Sequence, residues 1–231
     1  ELATLRTRLG DMSGAERALV AAVAHAPGNA KLFARLASMF KTPQGSPDDN
    51  AYAHTLERVI TTGQRLGRVD ASWFATLGQI EVERLSRVRE GISHLLQAVT
   101  IEPSLHETRF ELATAYAKAQ SHQDAARTVH AMLDPDARPL LALADPASAL
   151  ELLEQSLNAE RRNEEALAVS ELRAVAGDLD DGRYAWLRGR SPRSLESGHV
   201  VLDRSTLVTH VLPSEGRHVL LEVAAAIYGV E

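Results

Sequence analysis

Nine histidines and 31 acidic residues could supply metal or acid–base chemistry, but their spacing does not assemble it. His106-Glu107 lacks the second histidine, one helical turn on, that a zincin helix needs to bring two imidazoles to one zinc. His210 and His218 fall on either side of a predicted turn with no acidic ligand in register. Asp178, Asp180 and Asp181 resemble the opening of a calcium loop, yet Gly182 comes one position early and the closing glutamate is missing. An acidic, helix-capping turn is expected there instead. Cysteine is absent, which removes thiolate ligands, thiol nucleophiles and disulfides together. No Gly-rich phosphate loop, nucleophile elbow or paired-carboxylate constellation appears. The chain is therefore read as non-catalytic, with no metal site and no cofactor.

Arg183, Arg188, Arg190 and Arg193, interleaved with Tyr184 and Trp186, form the single basic patch. Guanidinium groups beside aromatic rings can hold phosphate and stack bases. The whole chain carries a formal charge of −6 with cations and anions interspersed, so no nucleic-acid partner is expected. No apolar run approaches the roughly 20 residues that span a bilayer. No signal peptide is visible, and a cytoplasmic location is the expectation. Of the 25 basic residues only Lys31, Lys41 and Lys118 are lysines, as codon bias of a GC-rich bacterial genome would give.

The elements are helical. Aromatics are 4% of the residues, and Ala and Leu dominate, which suits close-packed helices better than sheets. The stretch His106 to Leu133 carries two apolar stripes at helical spacing, Phe110/Leu112/Ala113/Tyr116 and Ala125/Val129/Met132/Leu133. The polar break Gln120-Ser121-His122-Gln123 parts them, as two antiparallel helices joined by a tight turn require. Small residues at Ala113 and Ala125 let the backbones approach while Leu112 and Tyr116 fill the space beside them.

This large-small-aromatic triplet followed by a small-large-apolar series resembles the tetratricopeptide (TPR) repeat. Anchoring on Leu112, the same register recurs at Leu2, Leu36, Leu77 and Leu153, at intervals of 34, 41, 35 and 41 residues. Ala15, Ala53, Gly91, Ala125 and Ala166 mark the second helices. Five repeats are predicted, at 1–29, 30–69, 70–105, 106–145 and 146–177, the first truncated at its start. Pro27 ends one second helix, and Ser46-Pro47-Asp48-Asp49 reads as a cap, first-position proline and acids against the helix dipole. Ile92, Leu95, Leu96, Ala98 and Val99 give the apolar face of the second helix in the third repeat. Leu140 to Leu143 reads as a short helical cover, Asp145-Pro146 as the next cap, and Asn163 as the cap of the last second helix. Residues 178–198 are read as a brief helix near Tyr184 to Leu187, with Trp186 plugging the end of the stack, and then a linker. Residues 199–231 lack the repeat register and read as helices of an appended, truncated region. The chain, starting at Glu1, is expected to be a fragment of a larger bacterial TPR protein.

The resemblance implies an all-α fold, a right-handed α-solenoid of antiparallel hairpins with a C-terminal helical extension, whose first helices line a concave groove. It further implies a groove that takes a protein or peptide partner. Carried over by register, the lining comprises Lys31, Arg35 and Ser38 from the second repeat and Gln79 from the third. Glu107, Glu111, Thr114 and Lys118 follow from the fourth, and Glu151, Gln155 and Asn158 from the fifth. It passes from basic to acidic, which favours a partner segment of opposite polarity. Ser38, Gln79, Thr114 and Gln155 stand where chaperone-clamping TPR proteins carry carboxylate-binding asparagines and lysines, so no chaperone clamp is expected. The alternative is a regulatory arm for an enzymatic domain lying outside the chain or beginning near residue 199. Oligomeric state is not legible.

Overall fold

The computed structural model describes residues 2–40, 48–133, 139–175, 182, 183 and 185. Its elements run α1 (Leu2–Arg8), α2 (Met12–His25), α3 (Ala30–Ser38), α4 (Asp49–Arg65), α5 (Ala71–Glu83), α6 (Val88–Ile101), α7 (His106–Lys118) and α8 (His122–His130). A 3-10 turn (Pro139–Ala142), α9 (Pro146–Ala159) and α10 (Asn163–Val175) follow. Among the described residues there is no strand. The chain divides into two compact units, 1–108 and 109–231, with the division inside α7.

Local chemistry sets the helix starts of the first unit. The Asp11 carboxylate accepts from the Gly14 N–H at 2.8 Å, the Asn29 side chain from Leu32 at 3.1 Å and Asp48 from Ala51 at 3.0 Å. Asp70 accepts from the Ser72 N–H at 2.9 Å. Each satisfies a backbone donor that the first turn leaves without an intrahelical partner. The cap of α4 is thus Asp48 and not Ser46, because the carboxylate stands at the right remove from the Ala51 N–H. Ser46 and Pro47 lie outside the described residues.

In this unit each hairpin stacks on its predecessor. α1 packs on α2, α2 on both α3 and α4, α4 on α5, and α5 most extensively on α6. The core is a row of Leu19, Val23, Leu36, Leu56, Val59, Trp73, Phe74, Leu77 and Ala98. Phe40 stacks on Tyr52 with ring centroids 5.3 Å apart, and burial pushes the Tyr52 hydroxyl up to about 12. The tight α5–α6 crossing has a steric cause. A Cβ on Gly78 would lie 2.7 Å from Leu95 Cγ and 2.9 Å from the Gly91 carbonyl, and one on Gly91 would lie 2.8 Å from the Gly78 carbonyl. Only a glycine pair admits that approach. Leu96 does not join the apolar face but is 49% exposed. At about 100° per residue it is rotated away from the arc shared by Leu95 and Val99.

In the second unit, α9 packs on α8 and α10. Ala113, Val129, Met132, Leu133, Leu150, Leu153, Leu157, Ala166 and Val169 form its core. The 3-10 turn places Leu140 and Leu143 in that core, so the segment covers it as the sequence suggests. Asp145 caps α9 ahead of Pro146, accepting from the Ser148 hydroxyl at 2.5 Å and its N–H at 3.3 Å. These hydrogen bonds, the hydroxyl's first, hold the Asp145 carboxyl below the usual carboxylate range. Asn163 is the first helical residue of α10 and not its cap. The bond from the Ala166 N–H to the Arg162 carbonyl at 3.0 Å puts the cap one residue earlier. Tyr184, Trp186 and Leu187 of the expected brief helix, the linker and the residues beyond 199 lie outside the described residues.

Candidate functional site

In the first unit Lys31, Arg35 and Ser38 share the exposed face of α3, opposite the fully buried Leu36. The Arg35 guanidinium donates to the Thr4 hydroxyl of α1 at 2.7 Å, which ties the polar faces of two successive first helices together. Ser38 donates to the Arg35 carbonyl at 2.7 Å, so its hydroxyl is already engaged. Gln79 is exposed on α5 between buried Gly78 and Ile80, and Glu107 is exposed in the first turn of α7. The second helices make their own connections. Glu16 on α2 accepts from Thr55 on α4 at 2.9 Å and pairs with Arg58.

In the second unit Glu111 and Thr114 are half-buried and Lys118 is exposed along α7. The Thr114 hydroxyl donates to the Phe110 carbonyl at 3.0 Å, a bond within its own helix. On α9, Glu151 is half-buried while Gln155 and Asn158 are exposed. Gln155 Nε2 donates to Glu151 Oε1 at 3.0 Å, and Glu151 Oε2 lies 3.6 Å from an Arg173 nitrogen. Each unit therefore carries its own strip of polar side chains on first helices.

Two buried polar groupings have no counterpart in the sequence reading. Glu81 on α5, 2% exposed, meets His94 Nδ1 of α6 at 2.6 Å. Glu154 on α9, 1% exposed, accepts from the Ser170 hydroxyl at 2.6 Å, from Arg173 Nη1 at 2.8 Å and from Arg183. Burial pushes the Glu154 carboxyl up, but the bonds from Ser170, Arg183 and Arg173 together outweigh it and leave it below the usual range. Arg183 is thus engaged with a buried carboxylate, whereas the sequence places it in a basic patch without acids. A signal for Glu154 existed. It falls four residues after Leu150 and three before Leu157, on an otherwise apolar stripe.

Tyr184, Trp186, Arg188, Arg190, Arg193, His210, His218, Asp178, Asp180 and Asp181 lie outside the described residues. Among the described residues no group of three or more His, Cys, Asp or Glu could hold a metal ion, and no helix is long and apolar enough to cross a membrane.

No protein-family model matches the chain, and no curated protein matches it in sequence. Among solved structures it is similar to the crystal structure of MamA protein, with a TM-score of 0.50 and 12% identity over 86% of this chain and 94% of that one. A second crystal structure of MamA aligns with a TM-score of 0.46 and 15% identity, over 75% and 97% of the two chains. At such identity the first likeness speaks for fold alone. MamA is a TPR-repeat protein, and this chain accordingly has an all-α, TPR-like solenoid fold.

Proposed function

We propose that the chain is a non-catalytic scaffold that binds a protein or peptide through the polar faces of its first helices. One observation carries the reading. On α3, α5 and α9 the large apolar residues Leu36, Leu77 and Leu153 are at most 1% exposed, while Lys31, Arg35, Gln79, Gln155 and Asn158 on the same helices are exposed. A rigid apolar anchor beneath an exposed polar face is what preorganised recognition needs, because little conformational entropy is lost when a ligand docks. Arg35, Ser38, Thr114 and Glu151 already have intramolecular hydrogen bonds or ion pairs, which fixes their rotamers ahead of binding. Nearby Lys31 and Lys118 supply exposed charge that favours acidic segments of a partner.

Site-specific photo-crosslinking tests this in the native cell extract. A benzoyl-phenylalanine at Lys31 or Gln79 is expected to capture a discrete protein, whereas one at the exposed Glu57 or Arg65 of second helix α4 is not. Capture only from the α4 positions would overturn the assignment of the binding face.

A further inference from the structure

The fifth hairpin departs from the other four at one position. The residue after the register leucine is small in each earlier repeat, Ala3, Ala37, Gly78 and Ala113, and a small side chain at such a contact lets helices approach closely. After Leu153 it is Glu154, which is 1% exposed. α9 and α10 nevertheless pack on one another. Room for the carboxylate comes from α10, where Ser170 is small, 2% exposed and donates to it at 2.6 Å.

A buried ion cluster adds little net stability over apolar packing of the same volume. What a carboxylate adds at this position is a choice of partner, and its three partners are not alike. Ser170 and Arg173 belong to α10 and are buried with it; Ser170 serves Oε1, and Arg173 Nη1 serves Oε2 at 2.8 Å. Arg183 lies beyond Val175, where α10 ends, and reaches the same Oε1 with 38% of its side-chain surface exposed. Withdrawing Arg183 therefore leaves each carboxylate oxygen with a donor from α10. The contact is separable from the hairpin that offers it. Residues 182, 183 and 185 are helical, and Gly182 and Ala185 are exposed, while the Arg183 side chain reaches inward to α9.

We propose that Glu154 is an intramolecular docking site and Arg183 its latch, which straps the chain following α10 onto the last hairpin in one register and opens without unfolding it. The latch sets the place from which the chain continues past the repeats. This inference is independent of the polar first-helix faces.

Spin labelling of the full chain tests it. Because the chain has no cysteine, nitroxides placed at Asn163→Cys, at the start of α10, and at Ala185→Cys, both exposed positions, report the separation of the strap from the hairpin by double electron–electron resonance. The proposal expects a narrow distance distribution in the labelled chain and one at least twice as wide once Arg183→Gln is added, with helical content unchanged at room temperature. Distributions of equal width with and without Arg183→Gln, whether narrow or broad, overturn it. Loss of helical content in Arg183→Gln also overturns it, because the arginine would then be a fixed part of the hairpin and not a latch.

Discussion

Glu154 shows how a charged residue can sit on the apolar stripe of a helix. Burying a carboxylate costs several kcal/mol unless charge and hydrogen bonds offset it, and here Ser170, Arg173 and Arg183 surround both oxygens. Removing it leaves a void and takes from Arg173, itself 6% exposed, its nearer carboxylate, with Glu151 more distant at 3.6 Å. Glu154→Ala is therefore expected to destabilise the second unit by about 3 kcal/mol, measured by urea unfolding. The pH dependence follows from the direction of the shift. The folded carboxyl holds its proton less readily than the unfolded one, so the unfolded chain gains protons first as acid is added. The cluster's contribution is complete above the ordinary glutamate value of 4.5 and declines as pH falls through the lower folded value. Glu154→Gln should flatten that acid limb relative to wild type. An unchanged acid limb would show that Glu154 titrates no differently in the two states.

Among the elements, the α5–α6 hairpin packs most extensively, and its geometry depends on the Cβ atoms that Gly78 and Gly91 lack. Gly91→Ala inserts a methyl against the Gly78 carbonyl and Val82, and neither backbone can retreat without parting the helices. A cost of about 1–3 kcal/mol is expected, typical of overpacking, and chemical denaturation checks it; a neutral result would mean that the crossing tolerates separation. These elements were largely legible beforehand. Leucines at 36, 77, 112 and 153 share one register because each must fill the same space in a repeated hairpin, and all are buried. Small residues at Ala53, Gly91 and Ala125 marked close approach for the same reason. What stayed illegible was finer. Leu96 is apolar but rotated off the face, Asp48 outcompetes Ser46 as cap by position, and Glu154 needs partners 16, 19 and 29 residues away that no local pattern reveals.

For the whole molecule, the TPR-like fold constrains function through which faces it exposes. The groove register came from the family resemblance, and residue types alone could not distinguish a recognition face from an ordinary solvated one, since both are polar. Lys31 and Arg35 carry the central claim because they lie on one exposed face of α3 and reversing them leaves Leu36 in place. The decisive measurement is quantitative capture from native extract by three baits: the wild-type chain, a Lys31→Glu/Arg35→Glu variant, and a Glu57→Lys/Arg65→Glu variant as a control on the exposed face of second helix α4. A protein retained by the first and third baits but reduced at least tenfold on the second is the predicted result, with thermal unfolding of all three within a few degrees. A partner held equally by all three baits, or no specific partner on any of them, would contradict recognition through the first-helix faces.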